Sequence, residues 1–150
     1  MDHNLYSKIK IEEVLSEQKS VQIYPQGYSM YPLFIPGKDQ AVISPLGNKH
    51  IRRGDVLLYR RKTGKLVLHR VVKVKGSKLF FVGDNQTDIE GPLSITQVYG
   101  YMSAFYKGKI KYSVKNPLYI LSWQTWLILL PVRKPLSEFI HKLKTRNKRK

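Results

Sequence analysis

A serine and a histidine stand in two short segments that could do chemistry together. Ser29 lies in the turn-prone stretch 27–32 (GYSMYP), and His69 lies in the apolar, β-like run 66–72 (LVLHRVV). A serine hydroxyl is a weak nucleophile at neutral pH unless a base takes its proton. An imidazole, with an ordinary pKa of about 6.5, suits that task. The two residues are predicted to be the nucleophile and the base of a serine peptidase, brought together by the fold.

Each of these residues also has a purely structural interpretation. A serine in a turn often bonds the nearby backbone through its hydroxyl. His69 stands in an alternating run in which Val67, His69 and Val71 share one face and Leu68 lies on the other. A histidine on such a half-buried strand is an ordinary core residue.

A third segment, 80–88 (FFVGDNQTD), supplies a carboxylate. An apolar strand runs here into the tight turn Gly83-Asp84-Asn85. The Asp84 side chain either caps that turn through the backbone or accepts a hydrogen bond from His69 and fixes its tautomer. Asp88 and Glu90 are alternative sources of this carboxylate.

Composition excludes several other classes of site. The 150-residue chain has no cysteine, so it has no disulfide, no thiolate metal site and no cysteine nucleophile. Its four histidines show no metal-ligand spacing, and no glycine-rich phosphate loop occurs, so we expect neither a metal nor a cofactor. The net charge of +17, from 27 Lys and Arg against 10 Asp and Glu, favours an anionic partner.

The chain divides into three predicted parts: an N-terminal region 1–20, a β domain 21–112 and a C-terminal region 113–150. A short amphipathic helix is predicted over 5–17. Runs rich in Val, Ile, Leu, Phe or Tyr, separated by turn residues, predict strands at 41–44, 55–60, 66–74, 79–82 and 97–106, with hairpin tips at 62–65 and 75–78. This spacing indicates a mainly β, antiparallel, barrel-like domain.

The C-terminal region is apolar and then basic. A helix over 117–131 would be about 22 Å long, short of the roughly 30 Å hydrocarbon core of a bilayer. Trp123 and Trp126, followed by six Lys and Arg within 141–150, are typical of a helix at an anionic membrane surface. The alternative is a helix packed on the β domain, followed by a solvated basic tail.

Four segments in order resemble the signal peptidase I and LexA-like serine peptidase superfamily. They are 27–32 (GYSMYP), 53–59 (RGDVLLY), 69–72 (HRVV) and 82–85 (VGDN), and the resemblance spans about residues 21–106. Histidine at position 69 makes the chain more similar to the endoplasmic-reticulum and archaeal signal peptidases than to those with a lysine base.

The resemblance implies a coiled antiparallel β fold and cleavage of a leader or signal-like segment from a peptide or preprotein. It implies Ser29 as nucleophile, His69 as base and Asp84 as the group that orients His69 or supports the site. The oxyanion would bind at residues 27–30, at the Ser29 N–H beside Gly27 and Met30. Gly27 stands where many signal peptidases have a serine that donates a second hydrogen bond, so we expect a slow or highly specific enzyme.

Two alternatives remain at this point. Besides a peptidase, the chain could be a catalytically inactive scaffold of the same fold or a basic nucleic-acid-binding β domain, in which aromatic and basic residues of 99–112 meet bases and phosphates. Residues 1–20 contain no apolar segment typical of a secretory signal, and no apolar run is long enough to span a membrane. We therefore expect a cytoplasmic protein, peripheral to the cytoplasmic membrane.

Overall fold

An antiparallel sheet of eight strands forms the body of the protein. The computed structural model describes residues 10–133 and residue 135. The strands are β1 (Val21–Ile23), β2 (Gln40–Pro45), β3 (Val56–Arg60), β4 (Leu66–Lys75), β5 (Lys78–Val82), β6 (Glu90–Ser94), β7 (Val98–Lys107) and β8 (Ile110–Ser113). Helix α1 (Ile11–Ser16) precedes them, a short 3-10 helix (Ile95–Gln97) leads into β7, and helix α2 (Pro117–Ile128) follows β8.

The strand order is β1-β2-β7-β3-β4-β5-β6, with β8 paired to β7. Every pairing is antiparallel. The prediction of a mainly β, antiparallel architecture is confirmed. In the part of the chain that the structure describes, β1 and β6 are the two ends of an open sheet, so the barrel-like closure is not seen.

The five predicted strands correspond to β2, β3, β4, β5 and β7, and both hairpin tips are confirmed. Three short strands were not predicted. β6 contains Gly91 and Pro92, which are poor strand formers, while β1 and β8 have three and four residues and give little periodicity. Helix α1 occupies only the second half of the helix predicted over 5–17, whose residues 5–9 lie outside the described residues.

Both faces of the sheet are covered by apolar side chains, and β4 contributes to both. Leu68 belongs to one cluster, with Phe34, Ile43 and Met102 among its members. Val67 and Val71 belong to the other, with Leu57, Tyr59 and Phe81. The predicted division of β4 into two faces is therefore confirmed, and it places His69 on the face of Val67 and Val71.

Helix α2 packs on the β domain. Asn116 caps it by accepting hydrogen bonds from the backbone N–H groups of Leu118 and Tyr119. The Trp123 ring lies so close to Gly54 that a Cβ there would stand 2.4 Å from it, and Gly54 also has a φ of +96°, which favours glycine. Within 10–133 and 135, no helix is long and apolar enough to cross a membrane.

Candidate active site

Ser29 lies in a tight turn after β1 that the core holds in place. The N–H of Phe34 donates to the Met30 carbonyl at 2.9 Å, and the N–H of Tyr31 donates to the Tyr28 carbonyl at 3.1 Å. Met30 is buried in the core, whereas Ser29 is half-buried. Gly27 has a φ of +72° with open space where a side chain would stand. The turn therefore anchors its backbone through Met30 and leaves the neighbouring hydroxyl accessible.

The Gly83-Asp84-Asn85 turn is docked against the backbone of Ser29. The N–H of Asn85 donates to the Ser29 carbonyl at 2.8 Å. A Cβ on Gly83 would lie 2.6 Å from that same carbonyl oxygen and 2.6 Å from the Gln86 side chain. Because a backbone oxygen cannot give way cheaply, glycine is needed for this close approach. Two of the segments singled out in the sequence thus meet at the serine.

Ser29 and His69 line one cavity of about 150 Å³. Arg61, Lys65 and Gln86 also line it. No hydrogen bond joins Ser29 to His69 among the residues described. Catalytic hydrogen bonds are often long in enzymes without substrate. The shared cavity is therefore the geometric relation between Ser29 and His69 that bears on catalysis.

His69 is held by a chain of hydrogen bonds on its Nδ1 side. Nδ1 lies 3.1 Å from the Tyr59 hydroxyl, and that hydroxyl donates to Glu90 Oε2 at 2.8 Å. Arg61 in turn donates to both Glu90 oxygens, each at 2.6 Å. These donations, ahead of the opposing effect of burial, hold the pKa of Glu90 below its ordinary value.

This network assigns the tautomer of His69. An ionised carboxylate only accepts hydrogen bonds, so the single Tyr59 proton points to Glu90. The Tyr59 oxygen then accepts from His69, which means that Nδ1 carries the proton. The lone pair of the neutral imidazole is consequently on Nε2, as a general base requires.

Burial lowers the pKa of His69 to about 4. The negative charges of Glu90 and Asp84 oppose this shift, while Arg61 and Lys65 add to it. His69 is 2% exposed, and in this apolar setting the charged imidazolium is disfavoured. His69 is therefore neutral over the whole range from pH 5 to 8. A histidine with the ordinary pKa of about 6.5 would instead change its protonation state within that range.

The Asp84 carboxylate is bound by Arg70. Arg70 Nε and Nη2 donate to its two oxygens at 2.8 and 2.7 Å, and both residues are buried. Arg70 Nη1 also donates to the carbonyl of Gly54 and to the Tyr119 hydroxyl. Burial by itself would lower the pKa of Arg70, but the Asp84 carboxylate raises it above its ordinary value.

The two roles predicted for Asp84, orienting His69 and supporting the site, can therefore be considered separately. Both of its oxygens face Arg70, and among the described residues none of its hydrogen bonds reaches His69, so it does not orient the imidazole directly. It supports the site, because its turn holds the Ser29 backbone. Glu90 is the carboxylate beside His69, with Oε2 3.7 Å from Nδ1, whereas Asp88 lines another cavity with Arg61 and Glu90.

Tyr59 and Arg61 are site residues that the sequence interpretation missed. Alternation along β3 puts Tyr59 on the same face as Leu57, and Leu57 pairs directly with His69. The diagonal position brings the Tyr59 hydroxyl to the imidazole. The sequence indicates the alternation along β3. Only the pairing of β3 with β4 in this register brings the Tyr59 hydroxyl and the imidazole together.

The two tryptophans of the predicted membrane interface face the protein. Trp126 Nε1 donates to the Asp84 carbonyl at 2.6 Å, and the Arg133 guanidinium lies 4.2 Å from the centroid of the Trp126 ring. Trp123 packs on Gly54. Both indoles are half-buried, and α2 holds the turn that carries Asp84 through Trp126.

Neither the comparison with protein-family models nor the comparison with curated proteins finds a match for this chain. Over the ranges 10–133 and 135, no group of three or more His, Cys, Asp or Glu side chains could hold a metal ion.

Proposed function

We propose that the chain is a serine endopeptidase of the signal peptidase type. In this proposal Ser29 is the nucleophile, His69 is the general base, and the substrate is a peptide or protein with a leader or signal-like segment. The observation that carries it is the cavity that Ser29 shares with His69, a buried residue whose Nδ1 lies 3.1 Å from the Tyr59 hydroxyl.

The reaction proceeds through four proton transfers at His69, two in acylation and two in deacylation. Nε2 takes the Ser29 proton as Oγ bonds to the scissile carbonyl carbon, and the imidazolium then protonates the leaving amine as the C–N bond breaks. Water then attacks the acyl carbon as His69 takes its proton, and the imidazolium returns that proton to Ser29 Oγ as the C–Oγ bond breaks and the new carboxyl group is released. The Ser29 N–H donates to the oxyanion, and since Gly27 supplies no side-chain donor, the rate is expected to be low.

An open strand edge beside the cavity favours an extended peptide substrate. Residues 66–69 of β4 pair with β3 on one side. On the other side, pairing with β5 begins only at Arg70, and Leu66, Val67 and Leu68 line the cavity. An extended chain added to this edge by β-augmentation would bring its scissile bond past Ser29.

Acylation by a penem tests the proposal. The native protein is expected to take up one penem, and mass spectrometry should place the adduct on Ser29 within the tryptic peptide 20–38. The same protein unfolded in guanidinium chloride is the control and should not react, because an unassisted serine is a weak nucleophile. An adduct on another serine, or equal reaction of folded and unfolded protein, would favour the inactive-scaffold alternative.

The pH dependence of acylation should reflect the depressed pKa of His69. We expect a rate that is constant from pH 5 to 8 and falls to half near pH 4, because protonation of Nε2 removes the base. Glu90→Gln should move this fall to lower pH, since the Glu90 carboxylate raises the pKa of His69. Circular dichroism at each pH separates protonation from unfolding, and a fall centred near pH 6.5 would contradict the buried His69.

A further inference from the structure

The outward side of α2 presents an uncharged apolar surface. Residues 117–132 contain no charged side chain. Leu118, Leu121 and Ile128 are 77%, 60% and 72% exposed, and Leu129 and Val132 continue the same surface beyond the helix. We call these five residues the α2 outer face.

The domain does not need the α2 outer face for its own packing. The opposite side of the helix makes the contacts with the β domain, through Tyr119, Trp123 and Leu127. A helix on a protein surface normally carries charged residues on its outer side, and a contiguous exposed apolar patch marks an interaction site. Helix α2 is thus apolar towards the core and apolar towards the outside.

The charge of the sequence on either side of α2 indicates which partner binds the α2 outer face. Lys115 precedes α2, and residues 133–150 contain eight Lys and Arg against one Glu. An apolar helix face flanked by cationic sequence is the combination that binds anionic lipid at the bilayer interface. A second copy of this chain, also at +17, would be repelled.

We propose that the α2 outer face binds an anionic membrane surface. The 12-residue helix, about 18 Å long, lies in the plane of the interface with the β domain on its aqueous side. Leucine and isoleucine side chains make the contact, while Trp123 and Trp126 remain packed on the domain. This differs from the sequence prediction, in which the tryptophans enter the lipid.

Vesicle co-sedimentation of the full chain tests this surface. The wild type is expected to bind vesicles with 30% phosphatidylglycerol in phosphatidylcholine, and pure phosphatidylcholine vesicles much more weakly. Leu121→Glu and Ile128→Glu should each lower the partition coefficient roughly tenfold or more, because each removes a lipid contact and adds a repelled charge. Both side chains point outwards, so the variants should keep the thermal midpoint of the wild type.

Ile110→Glu is the matched control. Ile110 is 61% exposed on β8, so this variant makes the same change of charge and apolar area away from α2. Its partition coefficient should fall only by the effect of one added negative charge. Equal losses in all three variants would mean that net charge alone drives binding, and would overturn the proposal. Absence of wild-type binding would overturn it too, as would a concentration-dependent dimer that Ile128→Glu abolishes. The assay is independent of peptidase activity.

Discussion

His69→Gln is expected to slow penem acylation of Ser29 by about 10²–10⁴-fold, the usual contribution of a general base. Glutamine keeps a polar side chain of similar reach, but its amide cannot take up the serine proton at neutral pH. The loss should appear at every pH from 5 to 8, because His69 is neutral throughout that range. Acylation rates measured by intact-protein mass spectrometry give the comparison.

Two further variants separate the base from its support. Ser29→Ala should abolish the adduct. Tyr59→Phe removes the hydroxyl that accepts from Nδ1 and leaves the stacked ring in place, 4.3 Å from Phe81; we expect a loss of about tenfold, the effect of one missing hydrogen bond. If His69→Gln acylates at the wild-type rate with an unchanged thermal midpoint, His69 is not the base.

Asp84→Ala is expected to lower the free energy of unfolding by about 3–5 kcal/mol, because it leaves a buried charge without its partner. Arg70 is 1% exposed and donates two hydrogen bonds to the Asp84 carboxylate. Its remaining partners, the Gly54 carbonyl and the Tyr119 hydroxyl, are neutral and do not balance the charge. Urea unfolding followed by circular dichroism measures the change.

A control carboxylate and a double variant test the cause of this loss. Asp55→Ala breaks the partly exposed pair with Lys49 and the hydrogen bond from the Arg52 N–H, and should cost about 1–2 kcal/mol. The double variant Arg70→Met with Asp84→Leu should recover most of the stability, because it replaces the pair with apolar groups. If Asp84→Ala is no more destabilising than Asp55→Ala, the buried pair does not support the turn under Ser29.

Local patterns in the sequence were sufficient for much of the fold. Runs rich in Val, Ile, Leu, Phe and Tyr, bounded by turn residues, predicted β2, β3, β4, β5 and β7, since such side chains are favoured in strands. The glycine-containing tips predicted the hairpins. β1 and β8 have only three and four residues, and β6 contains Gly91 and Pro92, so these three strands carry too little of this signal. They form by pairing with β2, β7 and β5.

Such local patterns predicted only part of the candidate site. Ser29 and His69 could be selected from residue type and segment, yet the choice among Asp84, Asp88 and Glu90 stayed open. The register of β3 with β4 sets Tyr59 beside His69, and the β5–β6 pairing opposes Glu90 to Phe81. The resulting contacts join residues nine to 31 positions apart, and no pattern within a single strand encodes them.

The sequence by itself determined the antiparallel β character, the nucleophile and base candidates, and the absence of charge along residues 117–132. Each follows from residue type or from short-range periodicity, which act within a few positions of the chain. Only the tertiary structure decided that Asp84 pairs with Arg70, that Glu90 and Tyr59 support His69, and that α2 turns its tryptophans inwards and Leu118, Leu121 and Ile128 outwards. Those outcomes depend on which surfaces pack together. A carboxylate pairs with the cation that is buried beside it, and the sequence of a helix that is apolar on both sides does not indicate which side contacts the protein.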